Sequence, residues 1–151
     1  FHRYTYPLRS GIDAGNHIIS AVSSDGLEFC EELGVRISQE TERETFSVYA
    51  PEIVRLGDGS YRMYYSGWSD ALRGRVFTAT SADGLDWCKA VEPCIELGDQ
   101  WDSDMVSEPC IIGLEDGRAR LFYEACDDGG NYRILSATSI SGPPAITADV
   151  S

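Results

Sequence analysis

Two glutamates set beside prolines are the residues of this chain best suited to chemistry: Glu52 in Ala50-Pro51-Glu52 and Glu108 in Ser107-Glu108-Pro109, 56 positions apart. Two carboxyls that face one narrow cavity push their pKa values apart, so that one stays protonated while the other is ionised near neutral pH. Cleavage of a glycosidic bond needs that division: one carboxyl protonates the leaving oxygen, and another activates water or attacks the anomeric carbon. Residues able to hold a sugar accompany the pair. Trp68, Trp101 and Tyr49 offer ring faces, and Asp102 and Asp104, in Trp101-Asp102-Ser103-Asp104, offer acceptors for sugar hydroxyls.

Other chemistries lack their residues. Cys30, Cys88, Cys94, Cys110 and Cys126 form no CxxC or Cys/His spacing, so no zinc site is expected. Asp127-Asp128-Gly129-Gly130-Asn131 has the oxygen content calcium favours without a ligand spacing, and no metal or cofactor is expected. The odd cysteine count reads as reduced, buried small hydrophobes, a slight lean toward the cytoplasm. His17, beside Asn16, reads as a surface histidine. A formal charge of -13 without a basic run argues against nucleic acid as a partner. No apolar run approaches the ~20 residues of a membrane span, so a soluble protein is expected.

The elements that must position these residues follow from an internal repeat. Ser24-Asp25-Gly26-Leu27-Glu28-Phe29-Cys30 returns as Ala82-Asp83-Gly84-Leu85-Asp86-Trp87-Cys88, and Pro51 and Gly59 return as Pro109 and Gly117, each 58 positions on. Tyr64-Tyr65 maps onto Phe122-Tyr123 and Ala79-Thr80-Ser81 onto Ala137-Thr138-Ser139 without a gap. Within a unit, aromatic-rich and alternating runs read as four strands, near 48–56, 60–67, 75–81 and 91–97. Gly57-Asp58-Gly59 and Glu115-Asp116-Gly117 read as hairpin turns, and Asp25-Gly26 and Asp83-Gly84 as turns farther along. Trp87, its counterpart Phe29, and the Tyr64, Tyr65, Phe122 and Tyr123 set read as core.

Repeated four-stranded antiparallel units of this size predict an all-β fold of the β-propeller type, in which each blade buries its faces against its neighbours. The units span about 1–47, 48–105 and 106–151 of one partial propeller domain, or about 2.6 blades in 151 residues. Propellers close with about four to eight blades. The reading therefore expects either a piece of a longer polypeptide or, preferentially, a homodimer in which two copies complete the ring.

Tyr49-Ala50-Pro51-Glu52-Ile53-Val54, then Asp58-Gly59-Ser60-Tyr61-Arg62-Met63-Tyr64-Tyr65-Ser66-Gly67, then Ala79-Thr80-Ser81-Ala82-Asp83-Gly84-Leu85-Asp86-Trp87, resembles a blade of the five-bladed propeller glycosidases. These are the arabinanase, xylosidase, levansucrase and invertase group, with the mannoside phosphorylases nearby. The resemblance implies a general acid at Glu108, in the place of an E-P segment, and a pKa-tuning or second carboxylate at Glu52, in the place of an A-P-D segment. The base that it also implies aligns before Phe1. The function implied is acid/base cleavage, or binding, of an oligosaccharide. Two alternatives accompany it: a non-catalytic carbohydrate-binding or scaffolding half-propeller that dimerises, and a mannoside-type phosphorylase whose phosphate cations would come from Arg73, Arg75 and Arg118.

Overall fold

The computed structural model describes residues 2–4, by backbone alone, and 16–140. Among the described residues the regular structure is all strand: β1 (His2–Tyr4), β2 (Asn16–Ile18), β3 (Ala21–Val22), β4 (Cys30–Glu31), β5 (Ser47–Arg55), β6 (Tyr61–Ser69), β7 (Arg73–Ser81), β8 (Cys88–Lys89), β9 (Met105–Gly113), β10 (Ala119–Cys126) and β11 (Tyr132–Thr138). No helix among them is long and apolar enough to cross a membrane.

The repeat in the sequence is a repeat in space. β5, β6 and β7 form an antiparallel meander with β8 on its outer edge, and β9, β10 and β11 repeat that meander. The isolated pairing of Ile18 with Ile37 recurs as Val76 with Ile95, 58 residues later. Successive sections touch through single parallel pairs, Asn16 with Ser47 and Gly74 with Met105. At the second junction a Cβ on Gly74 would stand 2.8 Å from the Met105 side chain and 3.0 Å from the Trp68 ring, so glycine permits the approach.

Turn chemistry holds the hairpins where the sequence puts them. Gly59 and Gly117 take φ of 88° and 80°, while Asp58 and Asp116 accept the N–H of Ser60 and Arg118. At the outer turns, Asp83 accepts the N–H groups of Leu85 and Asp86, and the Ser81 hydroxyl donates to Asp83 and accepts the Gly84 N–H. Ser23 and Asp25 reproduce this set one unit earlier.

Three expectations need correction. The fourth strand does not run over 91–97: it pairs at Cys88–Lys89, leaves the ladder at Val91-Glu92-Pro93, and rejoins where the Cys94 N–H donates to Val76 O at 2.8 Å. Pro93 has no N–H to give, which breaks the ladder there. Phe29 is 53% exposed rather than core, whereas its counterpart Trp87 packs against a buried cluster and donates its indole N–H to Gly84 O, a tether phenylalanine lacks. Of the five free cysteines only Cys126 is buried. The fourth strand of the third unit falls outside the described residues.

The core lies between units. Ile18 and Ile37 of the first unit pack with Val48, Met63, Tyr65, Phe77 and Ala79 of the second. One repeat on, Val76 and Ile95 pack with Val106, Leu121, Tyr123, Leu135 and Ala137. Each sheet thus buries one face against the next section, the expected geometry of stacked blades.

An acid from the connector, buried in one unit and half-buried in the next, meets a tyrosine hydroxyl at matching points of the repeat. Glu44, in the connector before β5, is fully buried and accepts the Tyr65 hydroxyl at 2.7 Å, the Thr41 hydroxyl, and an ion pair from Lys89. Asp102, 58 residues later, accepts the Tyr123 hydroxyl at 3.3 Å. Burial, then the Glu44 charge, pushes the Tyr65 phenol far above its ordinary range, and burial followed by Asp102 raises that of Tyr123.

Volume is conserved across the brace. Against the longer Glu44 stands Gly67, where a Cβ would come within 2.8 Å of Glu44 Cγ and 2.7 Å of the Phe77 ring. In the next unit, which has the shorter Asp102, the equivalent position in the sequence carries Ala125. Close packing makes the one methylene decisive. Gly67→Ala should therefore cost about 1–3 kcal/mol in denaturant unfolding. Combining it with Glu44→Asp should cost less than the two changes separately, and strict additivity would show that the two positions do not share one volume.

Candidate functional site

At one end of the strands, the start of β5, the end of β6, the starts of β7 and β9 and the end of β10 come together, as the pairs Ser47–Trp68, Trp68–Gly74, Gly74–Met105 and Met105–Cys126 require. Most of the residues singled out in the sequence lie at this end.

Just inside it, both innermost strands bulge. The β5 ladder jumps from Tyr49 to Glu52 against two residues of β6, and the β9 ladder shifts between Ser107 and Cys110 in the same way. The bulged residues are Ala50-Pro51 and Glu108-Pro109. Ala50 and Glu108 sit at φ of 48° and 50°, in the left-handed region. Each precedes a proline, which disfavours the right-handed helical region for it, and a non-glycine residue held there stores about 1–3 kcal/mol.

This register gives the two glutamates different places in the repeat. The counterpart of Glu108 is Ala50, and the counterpart of Glu52 is Cys110, beyond the bulge. Glu108 is exposed, and its N–H donates at 2.8 Å to the hydroxyl of Ser66, a fully buried residue of the preceding unit. Glu52 is half-buried on β5, opposite Tyr64, and Tyr49 is half-buried opposite Ser66.

The aromatic and acidic residues fall into three groups. The Trp68 ring carries the Arg73 guanidinium 5.3 Å above its centroid, and Arg73, itself at φ 65°, donates through Nε and Nη2 to Asp104 at 2.8 and 2.5 Å. Trp101 is 51% exposed and carries the Arg133 guanidinium at 4.8 Å. Arg133 also donates to Trp101 O at 2.7 Å and to Asp127 at 2.9 Å. Each tryptophan is paired with a guanidinium, a cation–π contact that fixes the ring; Trp101 is the more exposed of the two, while Trp68 is half-buried beside Gly74. Asp102 stands apart from these groups as the brace to Tyr123.

Several participants escape sequence reasoning. Glu124 lies directly across from Ser107, whose hydroxyl donates to it at 3.1 Å, bringing a further carboxylate beside the Glu108 bulge. Ser66 and Arg133 are unremarkable as sequence. The one signal for Ser66 is a hydroxyl inside the aromatic run Met63-Tyr64-Tyr65-Ser66. Each of the cations considered for phosphate is paired, Arg75 with Glu96, Arg118 with Asp116 at the hairpin turn, and Arg73 with Asp104, and of the three Arg73 lies at the bulged end. Among the described residues no three His, Cys, Asp or Glu side chains form a group that could hold a metal ion.

No protein-family model matches the chain. It is 32% identical over 122 residues to an uncharacterized protein of Mycobacterium tuberculosis, covering 79% of this chain and 38% of that protein. It is 39% identical over 69 residues to a 1,2-beta-oligomannan phosphorylase of a Thermoanaerobacter species, covering 44% of this chain and 23% of the enzyme. In space it superposes, with a TM-score of 0.68 and 26% identity, on a family 117 glycoside hydrolase of Zobellia galactanivorans, over 85% of this chain and 39% of that one. The chain therefore spans well under half the length of the curated relatives it matches. The solved structures similar to it include further glycoside hydrolases, and this all-β chain shares its fold with the part of them that it superposes on.

The Asp127 group yields a pH prediction. The Asn131 N–H, then Arg133, holds the Asp127 carboxyl at about 2, below its ordinary 3.8. A depressed folded-state pKa favours folding above the ordinary value, and that contribution disappears as pH falls through the folded one. Asp127→Asn should flatten the fall of Tm between about pH 4 and pH 2. An unchanged slope would show that the carboxylate has no net part in acid stability.

Proposed function

We propose that this chain belongs to a propeller that cleaves oligosaccharides, with Glu108 as general acid and Glu52 as the second, pKa-tuning carboxylate. The observation that carries the reading is the backbone of Glu108: an exposed carboxylate on a strained bulge of an innermost strand, with its N–H tied to a neighbouring unit. The bulge is a property of the repeat, since Ala50 shares it, and only the unit beginning at β9 places an ionisable side chain there. Backbone strain gathered at this end of the strands, at Ala50, Arg73 and Glu108, is a mark of a working region.

In the proposed reaction Glu108 donates its proton to the glycosidic oxygen as the bond to the anomeric carbon breaks. Water adds to that carbon and passes its proton to a base. The base comes from another part of the polypeptide or from a second copy of the chain, and in the latter case a homodimer completes the ring. Sugar rings pack on Trp68 and Trp101, near Tyr49, with Asp104 held by Arg73 and Asp102 fixing the approach of the connector. A catalytically silent carbohydrate-binding propeller would keep the same ring faces and lose turnover alone.

A second reading is favoured by the segment shared with the oligomannan phosphorylase and by the position of Arg73. Here inorganic phosphate replaces water as the attacking group, and Arg73 faces it. One assay separates the readings. Oligosaccharides, beginning with β-1,2-linked mannosides, are incubated with the protein with and without phosphate. Hydrolysis proceeds without phosphate, whereas phosphorolysis requires it and yields a sugar phosphate. In either case Glu108→Gln should lower kcat by about 10²–10⁴-fold. A variant as active as the wild type would remove Glu108 from the chemistry.

A further inference from the structure

The N–H of Glu108 needs an acceptor, and the acceptor is not on its own strand. Ser66 lies on β6 in the unit before, at zero exposure, and its Oγ receives the Glu108 N–H at 2.8 Å. The neighbouring pairs Tyr65–Phe77 and Gly67–Arg75 fix the β6 backbone on either side, so the hydroxyl is presented from a rigid strand. Glu108 itself has left the ladder: its strand pairs at Ser107 and again at Cys110, and the bulge gives up the β10 partner its N–H would otherwise have. A backbone N–H deprived of its ladder partner needs another acceptor, and the Ser66 hydroxyl supplies it.

The sequence makes the arrangement particular to one interface. In the sequence repeat Leu8 stands 58 positions before Ser66 and Glu124 58 positions after it. The serine therefore stands only in the unit that precedes the bulge carrying a glutamate. The matching bulge at Ala50 carries a methyl group.

We propose that Ser66 is the positioning residue for Glu108: by accepting its N–H across the interface between units, it ties the bulge, whose backbone shape Ala50 shares, to the neighbouring sheet and so sets the point from which the carboxyl approaches substrate. The inference rests on Glu108 being the acid. Ser66 has no contact with substrate in this account and acts through the backbone alone. Because the bond crosses between two units, any displacement of one sheet against the other is transmitted to the carboxyl.

The test uses Ser66→Ala, with Ser66→Cys as a variant of closer size and weaker acceptor strength, and Ser81→Ala as a control. Ser81 is also a buried serine accepting a backbone N–H at 2.8 Å, that of Gly84, in an outer turn away from the bulged end. Two readouts are taken. Amide exchange at Glu108, followed by NMR, should accelerate by about 10-fold or more in Ser66→Ala, less in Ser66→Cys, and remain as in the wild type in Ser81→Ala. On an oligosaccharide the wild type cleaves, Ser66→Ala should lower kcat about 10-fold or more with KM within about twofold, and move the limb of the pH–rate profile assigned to the acid. Ser81→Ala should lower stability without moving that limb.

Unchanged exchange at Glu108 in both Ser66 variants would overturn the proposal whether or not turnover is found. So would an unaltered kcat and pH limb in Ser66→Ala where Glu108→Gln is inactive. A Glu108→Gln variant that keeps full activity would instead overturn the acid assignment, leaving the exchange result to report the hydrogen bond by itself.

Discussion

Each sheet in this protein is too narrow to bury itself, and its large side chains become core only when the next section lies against them. Tyr65, Phe77 and Met63 meet Ile18 and Ile37 from the section before, and their counterparts meet Val76 and Ile95. Everything else is arranged to keep that stacking in register. The connectors send in a carboxylate, Glu44 or Asp102, to a tyrosine hydroxyl on the second strand; Gly67 faces the longer Glu44, and its place in the next unit's sequence is taken by Ala125. A buried acid without its partners would be costly, so these hydrogen bonds select one way of docking a connector on its sheet.

The same stacking gives the bulged end its chemistry. A regular strand would direct the residues of β5 and β9 alternately to its two faces and pair each N–H within its own sheet. The bulges break that pattern at Ala50 and Glu108, freeing one N–H and re-aiming one side chain per unit. Where the freed group meets Ser66 of the adjoining section, the site becomes shared between units. The Arg73–Asp104 pair and the Arg133–Trp101 stack add fixed charges and a ring at that end, each linking a β-strand to the connector before β9.

Much of this architecture was legible because it repeats. Asp-Gly turns at a constant interval and the Tyr-Tyr and Phe-Tyr pairs located the meanders, and β5 and β9 begin and end 58 residues apart. What the sequence concealed follows from the same physics. Glu52 and Glu108 each adjoin a proline in matching segments, so they read as partners. The bulge, which depends on hydrogen-bond register, instead makes Ala50 the partner of Glu108. Asp102, in a Trp-Asp-Ser-Asp segment suited to a sugar, accepts from Tyr123 as Glu44 accepts from Tyr65 one unit earlier, a correspondence hidden by the change of residue type. Pro93 was visible, yet its interruption of the outer strand showed only once Cys88 and Ile95 were seen to pair with β7 on either side of it. The guanidinium–indole stacks join residues tens of positions apart in one case and five in the other, and no pattern in the sequence announces them.

The most direct test of the account is a crystal structure of the Glu108→Gln variant with an oligosaccharide that the wild type cleaves. The account predicts the glycosidic oxygen at about 3 Å from the side chain of residue 108, with sugar rings against Trp68 or Trp101 and the Ser66 hydrogen bond intact. A sugar held elsewhere, against the outer turn at Trp87 or the hairpin end at Asp116, with nothing at the bulge of β9, would contradict it.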